Sequence, residues 1–455
     1  MTFEKMWAAL LPIGRDAATG GYHRFAWTPA ELECRAWFLG EAAARGLEIE
    51  QDRNGNLFAW WYPAGAAPRA AGADGVRAGV VTGSHLDSVP GGGAFDGPLG
   101  VVSALAAVDL MRARGVRPVR PIGIAVFAEE EGARFGVACL GSRLLTGTID
   151  PRRARDLRDA DGIGFGEALA RDDGGWAAGS GLPAGGPDPA AIGRDEDLLS
   201  RIGCFVELHV EQGRAMDAPV GVASAIWPHG RWRFDFGGQG NHAGTTRLAD
   251  RRDPMLPFAH TVLAARAAAE RHDSLATVGK VTVVPGGVNA IPSSVTAWLD
   301  ARGPDDRAVR GTVEEIARAA ELAAGDHGVT VRLGEESYTA VVAFNTALRD
   351  RIAGVLGSAG PAGPNGTAGP NGTAGSNGTA GSDRPPVLPT GAGHDAGILS
   401  AHLPTAMLFV RNPTGVSHAP EEYAEMADCL AGVEALAAVL EDLACDQGQE
   451  QAHYG

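Results

Sequence analysis

The chain has 455 residues, of which 45% are hydrophobic and 21% charged, with a formal net charge of -16. This length exceeds that of an ordinary single domain and predicts two domains with sizeable cores. The negative charge excludes nucleic acid and anionic membrane surfaces as expected partners, because both attract Lys/Arg-rich surfaces. No apolar run approaches the ~20 residues of a spanning helix, so we expect no membrane association. The first residues do not form a signal peptide, and the five cysteines are scattered, so we expect a reducing, cytoplasmic location.

Helices and strands alternate along the first half of the chain. The hydrophobic spacing predicts, in chain order, a helix at 31–39, a turn and strand at 54–60, a strand at 78–82, a helix at 100–112 and strands at 122–127 and 205–210. This alternation is typical of an α/β domain with a mostly parallel sheet and helices on its faces.

The pattern changes after residue 213. Alternating strands at 232–236, 281–284 and 329–333 are interleaved with helices at about 257–272 and 305–324, which predicts an inserted α+β domain over residues 214–338. The first domain, residues 1–213, would then resume at 339–455. Residues 358–383 repeat Gly-Pro-Asn-Gly-Thr-Ala and are predicted to be a disordered insertion, and residues 172–196 an irregular excursion.

Polar side chains follow two of the predicted strands. The first of these strands leads into His85 and Asp87, and the second leads into the adjacent carboxylates of Glu129 and Glu130. Because the carboxyl ends of parallel strands meet at one sheet edge, where ligands bind, we expect these groups to converge. Imidazole and carboxylate groups together are ligands for a divalent cation.

The remaining polar residues complete a two-metal pattern. Two divalent ions about 3.5 to 4 Å apart need one carboxylate that bridges them, and Asp96 in the glycine-rich loop GGGAFDG is the natural candidate. If Glu129 and Glu130 both point into the site, one should bind a metal and the other should polarise the attacking water. His209 at a strand end and His418 in a Gly/Pro-bounded loop offer further ligands. The ensemble predicts a hydrolase.

Seven segments, in order between about residues 30 and 440, resemble the amidase branch of the M20 metallopeptidase family. They are GSHLDSVPGGGAFDGPLGV, FAEEEGARF, FVELHVEQG, NHAGTTRLADRRD, VVPGGVNAIPSSVTAWLDARGPDD, GAGHDA and GVSHAPEEYAE. That branch contains allantoate amidohydrolases, N-carbamoyl-L-amino acid hydrolases and β-ureidopropionases. The resemblance implies that the inserted domain has a ferredoxin-like fold and mediates dimerisation, so we expect a homodimer.

The resemblance also implies a set of metal ligands. His85, Asp96 and His209 would hold one divalent ion, and Asp96, Glu130 and His418 the second. Zn or Mn would suit such ligands, as would Co or Ni.

The same resemblance implies roles for residues near the metals. Glu129 would be the general base, and the carboxylate of Asp87 would orient the imidazole of His85. His209 points to the amidase branch, because the peptidase branch usually has a carboxylate there.

The resemblance further implies the substrate-binding residues. His242 would reach a partner subunit's site and stabilise the oxyanion. A guanidinium such as that of Arg302 pairs bidentately with a substrate carboxylate. The full set implied to bind the small-molecule substrate is Gln212, His242, Asn289, Arg302, Gly415 and Ser417.

The expected reaction is hydrolysis of a terminal ureido group on a small carboxylate. Polar Arg411 and Asn412, just before the His418 loop, favour allantoate, and an N-carbamoyl-L-amino acid or 3-ureidopropionate is the alternative. A dipeptidase is disfavoured by His209. A dimeric binding protein without catalysis is disfavoured because the base and all five ligand candidates are present.

Overall fold

A computed structural model describes residues 2–66, 78–170, 182, 186–358 and 384–445. Residues 359–383, where the sequence predicts disorder, and most of the predicted excursion at 172–196 lie outside the described residues, so both remain predictions. Among the described residues, no helix is long and apolar enough to cross a membrane.

The helices and strands of the described residues follow the predicted alternation. The helices are α1 (Phe3–Leu10), α2 (Pro29–Ala44), α3 (Pro98–Ala113), α4 (Leu140–Thr146), α5 (Pro151–Asp156), α6 (Phe165–Ala170), α7 (Glu196–Ser200), α8 (Met255–Arg271), α9 (Asp306–Asp326), α10 (Thr346–Ser358), α11 (Asp395–Leu399) and α12 (Met426–Cys445), with a 3-10 turn at Leu248–Asp250. The strands are β1 (Glu48–Gln51), β2 (Leu57–Trp61), β3 (Gly79–His85), β4 (Ile122–Phe127), β5 (Ile202–Val210), β6 (Val220–Ile226), β7 (His229–Gly237), β8 (Asn241–His242), β9 (Leu275–Val284), β10 (Ala290–Ile291), β11 (Ser294–Arg302), β12 (Thr330–Thr339), β13 (Val342–Ala343), β14 (Val387–Thr390) and β15 (Thr405–Val410).

The described residues form a nine-stranded sheet with a parallel centre. Its order is β1-β2-β4-β3-β5-β15-β6-β13, with β14 also paired to β6. The neighbours β4, β3, β5 and β15 run parallel, whereas the pairs β1/β2, β2/β4, β15/β6 and β6/β13 are antiparallel. The four central strands are apolar, and nearly all of their residues are buried, which is typical of a parallel sheet covered on both faces.

Helix α3 connects the glycine-rich loop of Asp96 to the core. It begins at Pro98, whose fixed φ suits the first helical turn, directly after Gly97. Most of its side chains are buried, because it packs against β3, β5 and α12. The loop that precedes α3 is therefore anchored on a rigid element.

The chain divides into two compact units. One contains Met1–Ser224, Phe344–Leu388 and Gly393–Gly455, and the other contains Ala225–Ala343 and Pro389–Ala392. The second unit begins at Ala225 rather than at residue 214, because β6 pairs with β15 and so belongs largely to the large sheet. It ends at Ala343 rather than at residue 338.

The second unit is an α+β sandwich. Its antiparallel sheet has the order β12-β7-β11-β9, and α8 and α9 interrupt the strands in the sequence β-α-β-β-α-β, the ferredoxin-like arrangement. Alternate residues of β7 point into the core, where Trp232, Phe234 and Phe236 pack with Ala265 of α8 and Ile316 of α9. The two helices therefore cover one face of the sheet.

Candidate metal centre

Four parallel strands deliver polar side chains to one sheet edge. His85 is the last residue of β3 and lies in register with Phe127, the last residue of β4, from which the glutamates follow. His209 of β5 lies in register with Phe409 of β15, the strand that leads to the loop of His418. The predicted ligands of the first unit are thus brought together at the carboxyl edge of the sheet.

The carboxylate of Asp96 lies between three imidazoles. Its Oδ1 is 3.6 Å from Nε2 of His85 and 3.2 Å from Nε2 of His209. Its Oδ2 is 3.2 Å from Nε2 of His418. The two oxygens of one carboxylate therefore face two separate groups, as a bridging ligand requires.

Both buried imidazoles are oriented as metal ligands. Nδ1 of His85 is 3.1 Å from the carbonyl oxygen of Asp87, and Nδ1 of His209 is 2.9 Å from that of Val210. A neutral imidazole that donates from Nδ1 presents its lone pair on Nε2. Neither Nε2 atom has a hydrogen-bond partner among the described residues, although both are buried. Buried nitrogens of this kind, aimed at a carboxylate, fit a divalent cation.

A second possible ligand group contains Glu131 where the sequence placed Glu130. Candidate ligand atoms of Asp96, Glu131 and His418 lie within 4.8 Å of one another, and Oε2 of Glu131 is 3.6 Å from Nε2 of His418. No ligand group of three or more that the described residues form contains Glu130. Three glutamates are adjacent here, and the sequence by itself does not show which of them faces the second ligand group.

Glu129 faces its own loop. Its Oε1 accepts hydrogen bonds from the backbone N–H groups of Arg134 at 3.0 Å and Phe135 at 2.6 Å. Its backbone is left-handed, with φ of 53°, a conformation that non-glycine residues adopt at some energetic cost. Oε1 of Glu129 therefore helps to shape the loop, while Oε2 is buried without a hydrogen-bond partner among the described residues. The role of Glu129 as the general base stays a prediction.

Glu130 lies beside the first ligand group. Its Oε2 is 3.6 Å from Nε2 of His85, and its Oε1 accepts a hydrogen bond from the thiol of Cys139 at 3.2 Å. One oxygen is therefore held by the protein while the other faces the imidazole that would bind a metal. This is the arrangement expected of a general base.

The carboxylate of Asp87 makes different hydrogen bonds from the one predicted. Its carboxylate is 3.6 Å from Nδ1 of His85, beyond hydrogen-bonding distance, and its backbone carbonyl takes that contact. The carboxylate instead accepts the backbone N–H groups of Glu130 at 3.2 Å and Glu131 at 3.1 Å. Asp87 thus fixes the two glutamates that face the site.

The glutamate loop, residues 128–141, is closed at its base. The N–H of Gly141 donates to the carbonyl of Ala128 at 2.9 Å. The side chain of Asn56 accepts from Ala128 at 3.0 Å and donates to Gly141 at 3.2 Å, and it donates to the buried carboxylate of Asp52 at 2.7 Å. There is no room for a Cβ at Gly141, because Asn56 and Ala128 occupy that space.

The carboxylates of the site are buried close together. Burial, followed by the charge of Asp87, raises the pKa of Glu129 to about 8, and burial raises the pKa of Glu130 to about 7. Burial and the charges of Asp96 and Glu130 hold the pKa of Glu131 well above its usual range. Such crowding of acidic groups is costly without compensating cations. The charge distribution therefore also favours bound metal ions.

The three imidazoles lower the pKa of Asp96, in contrast to the raised pKa values of the glutamates. Burial by itself would raise the pKa of this carboxyl, but the imidazoles, His209 foremost, hold it well below its usual range. The contact with Asp96 raises the pKa of His418 to about 9. Asp96 is therefore the group of the site that stays ionised most readily.

Two predicted substrate residues of the first unit contact Asp96 or its neighbours. Nε2 of Gln212 donates to Oδ2 of Asp96 at 2.8 Å and to the hydroxyl of Ser417 at 3.2 Å. The hydroxyl of Ser417 in turn donates to Glu422 at 3.2 Å. Sequence reasoning missed Glu422, whose only signal was the second glutamate in PEEY.

Sequence reasoning also missed a third candidate ligand group, which shares His209 with the group of His85, Asp96 and His209. Candidate ligand atoms of Glu207, His209 and His394 lie within 4.8 Å of one another. The rings of His209 and His394 meet edge to face at 4.5 Å, while Glu207 accepts hydrogen bonds from Ser84 and from the N–H of Ala396. His394 lies in the segment GAGHDA, but its position in the sequence did not indicate a role for this histidine.

The remaining predicted substrate residues lie in the second unit. His242 and Asn289 are exposed and lie close together, because β8 pairs with β10 and the N–H of Ala243 donates to the carbonyl of Asn289. Nδ1 of His242 accepts the N–H of Gly244 at 3.0 Å. A neutral imidazole in this state carries its proton on Nε2, where it can be donated.

Arg302 at the end of β11 is held in a fixed orientation. Its guanidinium donates two hydrogen bonds to Asp300, at 2.8 and 3.2 Å, and one to the carbonyl of Gly391 at 2.7 Å. A guanidinium has five N–H donors, so two are left for a ligand.

The residues that favoured allantoate are used within the protein. Arg411 forms an ion pair with Asp428 at 2.8 Å. Asn412 is buried, and its side-chain oxygen accepts the N–H groups of Thr414 and Gly415 while its amide donates to Val416. Asn412 therefore shapes the loop that carries His418.

Comparison with known proteins agrees with this geometry. Residues 81–442 match the family described as Peptidase family M20/M25/M40. The chain is 32% identical to the N-carbamoyl-L-amino acid amidohydrolase of Geobacillus stearothermophilus, with 95% of this chain and 96% of the relative covered. It is 30% identical to the allantoate amidohydrolase of Escherichia coli, with 96% of each covered. An amidase of the hydantoinase/carbamoylase family from Burkholderia vietnamiensis has the same fold, with a TM-score of 0.78, 29% identity and 98% of each chain covered.

The family match, together with the imidazoles and carboxylates at the carboxyl edge of the parallel sheet, identifies a metal-dependent hydrolase. The chain belongs to the M20/M25/M40 peptidase family, and its relatives place it among the amidohydrolases, which cleave C–N bonds other than peptide bonds. The predicted resemblance is confirmed.

Proposed function

We propose that the protein is a two-metal amidohydrolase that cleaves the terminal ureido group of a small carboxylate. The observation that carries the proposal is the position of Asp96, which directs Oδ1 towards His85 and His209 and Oδ2 towards His418. One carboxylate that serves two groups of ligands is the arrangement that a pair of divalent ions requires.

The proposed ligands differ from the sequence-based set at one position. His85, Asp96 and His209 form the first site, and Asp96, Glu131 and His418 form the second. The choice of Glu131 rather than Glu130 as the ligand is supported by the distance between Glu131 and His418. Zn or Mn is the expected metal, and the mixed ligands would also accept Co or Ni.

The proposed general base is Glu130. Divalent ions bound at the two sites would polarise the substrate carbonyl and make water a better nucleophile. Glu130 takes a proton from the attacking water and delivers it to the leaving nitrogen, so that ammonia departs and a carbamate remains. The carbamate then breaks down to the amine and carbon dioxide.

Groups of the second unit complete the proposed chemistry. The Nε2 proton of His242 would stabilise the oxyanion. The two remaining donors of Arg302 would pair with the substrate carboxylate, and Asn289 would bind the substrate as well. By the family resemblance, His242 would act in the site of a partner subunit in a homodimer.

The identity of the ureido carboxylate rests on similarity. Arg411 and Asn412 add no support for allantoate, because Arg411 pairs with Asp428 of α12 and Asn412 bonds within its own loop. The two reported relatives divide between N-carbamoyl-L-amino acids and allantoate. Both remain candidates, with 3-ureidopropionate third, since each combines a ureido group with a carboxylate.

Ammonia release from a substrate panel tests the proposal. The metal-depleted protein would be reloaded with Mn or Zn and assayed for ammonia release from allantoate, N-carbamoyl-L-amino acids and 3-ureidopropionate, and for release of free amino acids from dipeptides. We expect hydrolysis of at least one ureido carboxylate, and loss of affinity for it in Arg302→Ala. Cleavage of dipeptides alone would contradict the proposal, as would tight binding of a ureido carboxylate without any turnover.

A further inference from the structure

Glu422 connects the loop of Asp96 with the loop of His418. Its Oε1 accepts the backbone N–H groups of Phe95 at 3.0 Å and Asp96 at 2.9 Å. Its Oε2 accepts the hydroxyl of Ser417 at 3.2 Å. One side chain thus binds two of the three polypeptide segments that carry the second candidate metal group, although these two are more than 300 residues apart.

The contact is closely packed. Glu422 is 3% exposed, and it occupies the space that a side chain at position 93 would need, so that only glycine fits there. The N–H groups of Phe95 and Asp96 are buried with it. A buried N–H without an acceptor destabilises the folded protein, so the loop of Asp96 would rearrange if Glu422 were shortened.

A second connection closes a ring through Asp96. Gln212 donates to Oδ2 of Asp96 and to Ser417, and Ser417 donates to Glu422. Glu422 therefore fixes the backbone of Asp96, while Gln212 fixes its carboxylate. Oδ2 of Asp96, the oxygen that faces His418, is therefore oriented through both the backbone and the side chain of Asp96.

We propose that Glu422 is a positioning residue for the second metal site, acting through its hydrogen bonds to the loops of Asp96 and His418. The inference rests on the two-metal function proposed above. The first site depends on it less, because His85 and His209 are held by β3, β5 and their own backbone contacts. Glu422 therefore controls the affinity of one metal ion more than that of the other.

Metal binding to three full-length variants tests the inference. Glu422→Ala removes the connection, whereas Glu422→Gln retains an oxygen for the two N–H groups and an amide that can donate to Ser417. Glu421→Ala is the matched control, because Glu421 is the adjacent, exposed glutamate. Metal content after dialysis and calorimetric titration with Zn or Mn would be measured, together with the melting temperature of the metal-free proteins.

We expect wild type, Glu421→Ala and Glu422→Gln to bind two metal ions. Glu422→Ala should bind the first as tightly as wild type and the second about 10- to 100-fold more weakly, the usual effect of removing a group that orients a ligand. Should Glu422→Ala fail to fold, Ser417→Ala removes one of the three hydrogen bonds to Glu422, together with the bond from Gln212, and should weaken the same metal ion by a smaller factor.

Three outcomes would overturn the inference. The first is unchanged binding of both ions to a folded Glu422→Ala or, where that variant does not fold, to Ser417→Ala. The second is equal weakening of both ions. The third is a Glu422→Gln variant as defective as Glu422→Ala, which would show that charge rather than hydrogen bonding matters. A wild-type protein that binds fewer than two ions would instead refute the proposed two-metal function, and the inference with it.

Discussion

The side chain of Asn56 accepts a hydrogen bond from the backbone N–H of Ala128 at 3.0 Å. Ala128 is the first residue after β4, so this contact fixes the point from which the glutamate loop enters the site. The same side chain donates to Gly141 at the far end of the loop. Asn56, which lies 72 positions from Ala128 in the sequence, thus fixes the start of the loop that carries Glu130 and Glu131.

This relationship predicts that Asn56→Ala lowers both stability and turnover. The N–H of Ala128 and the carbonyl of Gly141 would lose their partner in a buried site, at a cost of about 1 to 3 kcal/mol. Urea unfolding and steady-state kinetics measure the two effects. Asn54→Ala is the control, since Asn54 bonds to Gly193 instead of the glutamate loop and should affect stability alone. Equal kcat losses in the two variants would contradict the positioning role.

The assignment of the three glutamates predicts three distinct phenotypes. Glu130→Gln should lower kcat about 100-fold or more with metal content near wild type, because the amide cannot accept the proton of water. Glu131→Gln should lose a metal ion. Glu129→Gln should stay close to wild type, because an amide oxygen can still accept the N–H groups of Arg134 and Phe135. If Glu129→Gln were the inactive, metal-loaded variant, the original sequence-based assignment would be restored.

Metal removal should lower the melting temperature. The unpartnered Nε2 atoms of His85 and His209 and the crowded carboxylates lose their compensation in the metal-free protein. Any ion that binds the folded state alone stabilises it, by about 2.7 kcal/mol per site when its concentration is 100 times Kd. Differential scanning calorimetry before and after chelation, then with added Zn or Mn, measures the change. A smaller recovery is expected for Glu131→Gln, and an unchanged transition after verified metal removal would contradict the metal sites.

The proposed composite site between subunits predicts complementation. Glu130→Gln and His242→Ala should each be inactive alone. After subunit exchange, about half of the dimers should be mixed, with one site that carries both defects and one that carries neither, so that activity returns towards about a quarter of wild type. Ammonia release after mixing measures the recovery, and isotopic labelling verifies the exchange. If verified exchange restored no activity, His242 would act within its own subunit or not at all.

The sequence determined the framework of the protein, because the signals involved are local. Apolar runs predicted the strands that carry His85 and His209 at or near their carboxyl ends, and the glycine-rich loop identified Asp96 as a ligand candidate. The change of pattern after residue 213 predicted the α+β unit. Each of these features depends on residues a few positions apart, which periodicity and turn chemistry record.

The tertiary structure decided the details that depend on distant partners. The proposed roles of Glu129, Glu130 and Glu131 rest on the left-handed backbone at Glu129 and on the carboxylate of Asp87, which holds the next two N–H groups. The start of the second unit depended on β6, which pairs with a strand nearly 200 residues later. A side chain's hydrogen-bonding partner is set by the packing of separate segments, so a local pattern identifies a carboxylate or an amide as polar without showing whether it faces the site or supports the loop.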